Sequence, residues 1–426
     1  MFIFDNYTDD HPRTMNIKWY RGSQLLVSQD FNVTSSEYFA DRPVTAYNKI
    51  VVTISNMTKP DRFLKIFSIY DGIVRDFYNE EIENLEIIED LNVFSEEIAV
   101  NEAETTLIPN NTAGVFFQKT LPFKIYRNDT LYGSFFINSS TSNTYKTKYQ
   151  IKTSDYINVL NSQSYLGGIY TDITASTLIA DVMGDIPYKL DSQLQNKVIN
   201  GYLPISSKRD ALAQIAFSIG AMIDTSRSEF IEIKKLPTAV SRTIPESEII
   251  SINTTQENIT TQNVLNVLNY YQKRYAQEEE LFNGRLRGQQ TLTFDEPKYN
   301  LVATSCTIVA SGDNWCIISG SSNYASLTGK NYEKSIKTYS KQNSAVVSTD
   351  TEKTESYDTT LECDNDELVD SLPFIEYKIK SKFLMRDTRV GDLVLLNGMK
   401  ARVKTLNYDL SQKDIYCDAE LEAYYE

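Results

Sequence analysis

Histidine is almost absent: His11 is the only one in 426 residues. Chemistry that needs two imidazoles therefore has no material, which removes the HxxxH zinc helix, multi-histidine iron sites and histidine-dependent nuclease motifs. A Ser or Cys triad would have to use His11 itself. It stands beside Asp9 and Asp10 in a polar N-terminal stretch and reads as a solvated surface residue, not a positioned base. Cysteine is scarce too. Cys306, Cys316, Cys363 and Cys417 match neither a CxxC metal clip nor a dense disulfide scaffold and read as free, mostly packed thiols. The alternative is a Cys306 to Cys316 pair across a hairpin. Long apolar runs are missing, and the opening MFIFDNYTDD has an acidic flank, so neither a signal peptide nor a membrane anchor is expected and the chain reads as made in the cytoplasm. A basic excess is missing as well: 42 Lys and Arg against 57 Asp and Glu leave a net charge of -15, which repels nucleic-acid and lipid phosphates.

Catalytic signatures are equally thin. Gly329-Lys330 lacks the upstream glycine and the Ser or Thr of a phosphate loop, and Gly167-Gly168 is an isolated turn pair. No GxSxG elbow, SxxK pair or Asp-Thr-Gly loop occurs. Glu96 and Glu97 lie in an acidic stretch, 80–104, without the DxDxDG-like loop that gathers oxygens around calcium, so the stretch reads as a solvated face. Paired carboxylates for glycoside hydrolysis cannot be sorted from chance among 57 acids. No catalytic, cofactor-binding or metal-ligating residue is assigned.

What is present is material for several β-rich cores. Hydrophobic residues make up 41% and charged residues 23%, and at about 150 residues per domain the length suggests roughly three domains. Short alternating segments and the 28 Tyr and 19 Phe point to a mainly β fold. Strands are expected at 49–55 and 63–70, paired as a hairpin around Thr58-Lys59-Pro60-Asp61, with a second turn at Asp71-Gly72. Phe123 to Tyr126 and Leu131 to Ile137 flank the turn Arg127-Asn128-Asp129. From Thr153 to Leu236 the texture changes to α/β. Thr174 caps a helix stopped by Gly184, and Ser206 or Ser207 caps one running from Lys208 to Ile219 and ended by Gly220. The hairpin Ala221 to Lys234 follows. Glu278-Glu279-Glu280 with Gly284 and Gly288 suggests a solvated loop, and 319–358 long exposed strands or loops. Asp364 to Asp370 opens a helix; Asn397-Gly398 then joins two of the closing strands.

The run Gly201-Tyr202-Leu203-Pro204, a polar cap, Ala211-Leu212, Ile215-Ala216 and Gly220, leading into a hairpin, resembles the α/β domain inserted between the two barrels of phage-tail baseplate hub proteins. Ala40 to Pro43, Tyr70-Asp71-Gly72 and Val390-Gly391-Asp392-Leu393-Val394 resemble the same family, so the likeness spans most of the chain. The bias to Ile, Asn, Lys and Tyr suggests an AT-rich genome, and with it the contractile tail of a Gram-positive phage or a diffocin-like R-type bacteriocin. The resemblance implies a tandem β-barrel hub fold with an inserted α/β module. Its divisions would be an N-terminal β region at 1–75, a first β-barrel at 76–152, the α/β domain at 153–236, a second β-barrel with long exposed strands or loops at 237–360, and a C-terminal helix with β-hairpins at 361–426.

It further implies a non-enzymatic structural protein of the virion or particle, assembled into the baseplate as a homotrimer that adapts a sixfold tail tube to a threefold spike. Partners would be the tube protein, the spike protein, the tape measure protein and other baseplate proteins, without sequence-specific nucleic-acid contact. Gly391 and Asp392 join the 201–220 residues as the family-motif positions. Two other readings compete: a carbohydrate-binding, adhesin-like β protein, suggested by the aromatics, and a carboxylate glycosidase.

Overall fold

The computed structural model of the chain describes residues 2–4, 10–38, 40, 42, 44, 46–59, 63–69, 76–93, 97–110, 117, 121–145, 147–256, 259–273, 275–346 and 353–425. They form two compact units, Met1–Tyr78 and Asn79–Glu426. The fold is mainly β, with an α/β module in the second unit.

In the first unit the strand Pro12–Arg21 lies between Gln24–Asn32 and Lys49–Met57. Its period-two alternation buries Met15, Ile17 and Trp19 against Phe31 and Val33, and Phe2 and Phe4 join the same core. The expected hairpin between 49–55 and 63–70 does not form. Phe63, Leu64 and Lys65 are exposed and outside any strand, and Ile66–Ile69 pairs with Phe2–Phe4 instead. Lys49–Met57 takes its hydrogen bonds from Pro12–Arg21, so a long-range partner displaces the local one. Pro60, Asp61, Asp41, Pro43 and 70–72, on which two turns and part of the resemblance rest, lie outside the described residues. His11 is buried, not solvated, with its Nδ1 3.0 Å from the Pro12 carbonyl.

The second unit is built on an eleven-stranded sheet. Its antiparallel order is Ile249–Thr255, Ile375–Leu384, Tyr416–Tyr424, Met399–Asp409, Ile82–Asp90, Glu102–Leu107, Tyr149–Ser154, Thr130–Ser142 and Pro122–Arg127. Leu393–Leu396 pairs with Met399–Asp409, and Val240–Ile244 runs parallel beside it. Leu85, Ile87, Ile379, Phe383, Val403 and Leu421 fill its core. Asn397 and Gly398 both have positive φ, as a two-residue hairpin turn requires, and so do Asn128 and Asp129 in the 122–142 hairpin.

The α/β module contains α1 (Tyr156–Asn161), α2 (Ala175–Met183) and α3 (Lys208–Ser218). Asp155, Thr174 and Ser207 cap their N-termini through side-chain oxygens. Leu178, Ile179 and Val182 of α2 meet Leu212, Ile215 and Ala216 of α3 in one buried cluster. Tyr188–Leu190, Ile231–Lys234 and Met222–Asp224 form a small sheet beside them.

Two more sheets complete the unit. Thr260–Tyr271 lies between Glu333–Gln342, antiparallel, and Lys353–Thr359, parallel. Against its inner face packs α4 (Asn365–Ser371), capped by Asp364. Trp315–Asn331 pairs with Glu278–Thr293 along its length and with Lys298–Thr304 and Thr307–Ser311 on its other edge. The solvated loop expected at 278–288 is thus part of a 16-residue strand. Its ladder partner overrides the local glycines, with register shifts at Glu280/Phe282 and Gly284/Leu286. The four cysteines are free, Cys316 and Cys417 buried and the other two half-buried.

Candidate functional site

Of the motif residues, Gly201, Tyr202 and Leu203 form one junction of the second unit. Gly201, Tyr202 and Leu203 end the strand Val198–Leu203, which lies between Gly168–Thr174 and Leu361–Glu362. Gly201 has φ +128, and a Cβ there would fall 2.2 Å from the Thr360 carbonyl oxygen, so only glycine lets the two backbones close. Tyr202 N–H then donates to Thr360 O at 2.9 Å, and the Thr360 hydroxyl donates back to Tyr202 O at 2.6 Å. The Tyr202 ring packs 4.6 Å from that of Tyr270, centroid to centroid. Leu203 is fully buried and Pro204 is exposed.

A second far segment docks on the same strand. The Asn314 amide, itself fully buried, donates to Leu166 O at 2.8 Å and Leu203 O at 2.9 Å. Its neighbour Asp313 accepts the Ile169 N–H at 2.9 Å and the Tyr332 hydroxyl at 3.1 Å. The turn pair Gly167-Gly168 lies directly before this contact.

Ala211, Leu212, Ile215 and Ala216 form the buried stripe of α3. Gly220, at φ +66, turns the chain so that Ala221 N–H returns to Ala216 O at 2.8 Å. Gly391 and Asp392 lie elsewhere, before the Leu393–Leu396 strand. A Cβ on Gly391 (φ +84) would fall 2.7 Å from Met222 Cε, so this glycine lets the loop press on the module's hairpin. The Asp392 carboxylate accepts Arg389 N–H at 2.8 Å. Buried Arg402 donates to Gly391 O at 2.7 Å and Pro237 O at 3.0 Å; burial lowers its pKa.

A buried polar joint that the motif search missed ties the module to the large sheet. Arg227, in the turn of the Met222–Lys234 hairpin, sets its guanidinium 5.2 Å from the Tyr132 ring centroid and 5.8 Å from that of Tyr408, two rings that meet edge to face. It donates to Glu89 Oε1 at 2.9 Å and Thr388 O at 2.9 Å, while the Tyr408 hydroxyl donates to the same Glu89 oxygen at 2.7 Å. Burial lifts the Glu89 carboxyl pKa, against the pull of Arg227 and Tyr408. Burial also works against the Arg227 charge, but Glu89 and Tyr408 together outweigh it and keep the guanidinium pKa above its ordinary value. Next to this pair, Asp155 accepts Asn101 N–H and Ile157 N–H, both at 2.9 Å, and the Thr225 hydroxyl. Burial pushes its carboxyl up to about 6. One signal for the joint was available: Glu89 shares the buried parity of Leu85 and Ile87. Arg227 sits in a turn and gave none.

These arrangements join distant segments of the second unit, through backbone groups at Tyr202 and Leu203 and through side chains at Arg227 and Glu89. Two surface clefts flank α4. One of about 400 Å³ is lined by Lys197, Tyr339, Glu362, Cys363 and Asn365, the other, of about 420 Å³, by Ile219, Leu236, Leu368, Arg402 and Tyr424 among others. Among the described residues no three His, Cys, Asp or Glu side chains group as metal ligands, and no helix is long and apolar enough to cross a membrane. Glu96, considered above for calcium, lies outside the described residues.

No protein-family model matches the chain, and no curated protein does. Among solved structures it is similar to a tail protein from Neisseria meningitidis MC58 (9% identity, 81% of this chain and 93% of that one, TM-score 0.48). It is also similar to prophage tail protein gp18 from Listeria monocytogenes EGD-e (10% identity, 84% and 91%, TM-score 0.47). A third is the E. coli c3393 protein, described as a type VI secretion component with structural similarity to T4 bacteriophage tail proteins gp27 and gp5 (7% identity, 81% and 74%, TM-score 0.39). Likeness at this level fixes neither a family nor a function.

Proposed function

We propose that the chain is a structural baseplate hub of a contractile phage tail or headless R-type bacteriocin particle, a homotrimer that adapts a sixfold tube to a threefold spike. The observation that carries the reading is the motif itself. In a run that resembles hub proteins, from Gly201 to Gly220, Gly201 to Leu203 form a backbone junction on which Thr360 and Asn314 dock, and Ala211 to Ala216 supply the buried stripe of α3. Residues of that kind hold a scaffold together. The two barrels per subunit that the resemblance implies, taken three times, would offer six near-equivalent positions, so one protein would satisfy both symmetries through large permanent interfaces. Its neighbours would be the tube, spike and tape measure proteins and other baseplate proteins, and it would need no catalytic group. The net charge of -15 suits a lumen from which DNA phosphates are repelled.

Light scattering and negative-stain class averages of the purified chain test this. A threefold ring near three times 48.7 kDa with a central channel supports the hub. A stable monomer that binds glycans overturns it in favour of the adhesin reading.

A further inference from the structure

The three-stranded sheet built on Thr260–Tyr271 has two open edges, and their sequences complement each other. Among the described residues, Glu333–Gln342 and Lys353–Thr359 each hydrogen-bond to the central strand on one side only. Glu333–Gln342 is a ten-residue edge paired without a register shift, exposed at most positions, with Ile336 67% accessible. A regular edge of that length is a template for another strand. Its lysines, 334, 337 and 341, discourage indiscriminate pairing and favour an acidic partner. The opposite edge carries Glu355 and Asp358.

Direction and register also agree. Glu333–Gln342 runs antiparallel to the central strand and Lys353–Thr359 parallel to it, so the two edges meet antiparallel when identically oriented copies stand side by side. One antiparallel register places Lys334 opposite Asp358 and Lys337 opposite Glu355 at once. That register also keeps the faces. Leu268 and Asn266 of the central strand lie opposite Ile336 and Thr338, and Asn266 also opposite Asp358, so even-numbered residues share one face across all three strands. Pairing even with even continues the sheet without flipping a face.

We infer that a second copy of this chain is the occupant of each edge: Glu333–Gln342 of one copy pairs antiparallel with Lys353–Thr359 of the next in this register. The contact is head-to-tail and closes into a ring when the rotation closes. This rests on the homotrimer reading above and gives it an interface. Within one copy these charges meet other groups: Lys334 meets Glu296, Lys337 meets Glu362, Lys353 meets Glu355 and Asp358 accepts from Asn266. The ion pairs among them are exposed and cheap to exchange for partners across an interface.

The test uses the full chain with Ile336→Cys and Ser356→Cys together. Within one copy these positions sit on opposite edges, at least two strand spacings or about 9–10 Å apart, too far for a disulfide. Mild oxidation is expected to give covalently closed trimers, absent from the single variants and from the wild-type chain with its four native cysteines. In parallel, Lys334→Glu with Lys337→Glu, or Glu355→Lys with Asp358→Lys, is expected to weaken association about tenfold, and all four together to restore it. A trimeric ring by light scattering that neither cross-links nor responds to the charge changes overturns this interface and leaves the hub reading standing. Cross-linked ladders that run past three keep the strand pairing and defeat the threefold reading. A chain that stays monomeric and uncross-linked overturns the inference.

Discussion

The Arg227 guanidinium, carried on a hairpin turn, reaches the Glu89 carboxylate at 2.9 Å across 138 residues of chain, with both side chains almost wholly buried. Removing one partner strands the other charge in a medium that cannot solvate it. Arg227→Met is therefore expected to cost about 3–5 kcal/mol, while Arg227→Met with Glu89→Leu recovers most of that loss. Urea unfolding of the two single variants and the double variant measures the coupling; additive losses would mean that the pair does not act as a unit.

Gly201→Ala puts a methyl group where the Thr360 carbonyl sits, at a φ that side chains rarely adopt. Strain of this kind costs on the order of 1–3 kcal/mol before the clash is counted, and the clash also parts Tyr202 from Thr360. Gly220→Ala is the control: its φ is also positive, but a Cβ there meets nothing within 4 Å. It should lose about 1–2 kcal/mol, from conformation alone. Equal losses in thermal melts of the two variants would show that the close approach at Gly201 contributes nothing.

Local chemistry made part of this fold readable. The cap Thr174, the cap at Ser206 or Ser207 (Ser207 in the structure), the helix start at Asp364, the stops at Gly184 and Gly220, and the Asn397-Gly398 turn each act within a few residues, and each stands where the sequence put it. Readings failed where a distant strand set the outcome. Ile66–Ile69 left its neighbour for Phe2–Phe4, and 278–288 became a strand because Trp315–Asn331 completes its ladder. The motif was visible, but its use was not: Gly201 is needed because of Thr360, and no local pattern links the two. Glu89 was half visible, as a carboxylate at a core-facing position of an alternating strand. The acids of the stretch 80–104 read as a solvated face over its apolar residues, but Glu81 and Glu89 are buried.

Asn314→Ala leaves two carbonyls, the buried Leu203 O and the more exposed Leu166 O, without the amide that satisfies them. The orphaned Leu203 acceptor costs about 1–3 kcal/mol and the more exposed Leu166 O less, and the loss falls on the contact between the 278–331 ribbon and the module. The effect should therefore be local. Hydrogen exchange is expected to accelerate around 294–316 and 166–169 while the amides of α2 and α3 keep their protection. Uniform acceleration would show that Asn314 supports the whole unit.

Asp155 makes stability depend on pH in a direction opposite to that of most carboxylates. Burial raises its folded-state pKa from 3.8 to about 6, although the Thr225 hydroxyl and the N–H groups of Asn101, Ile157 and Asn158 favour the ionised form. Between those values the folded chain holds a proton that the unfolded chain has released. The stability this group contributes is thus fully present below 3.8 and is lost as pH rises towards 6, after which it is constant. A shift of this size corresponds to about 3 kcal/mol at most. Asp155→Asn carries no titrating group, so the stability difference between wild type and variant should drift across pH 4 to 6 in favour of the variant and level off above. Urea unfolding at several pH values gives that difference directly. A difference that is flat throughout, or that moves towards the wild type, would mean that these hydrogen bonds outweigh burial and that Asp155 titrates at or below its ordinary value.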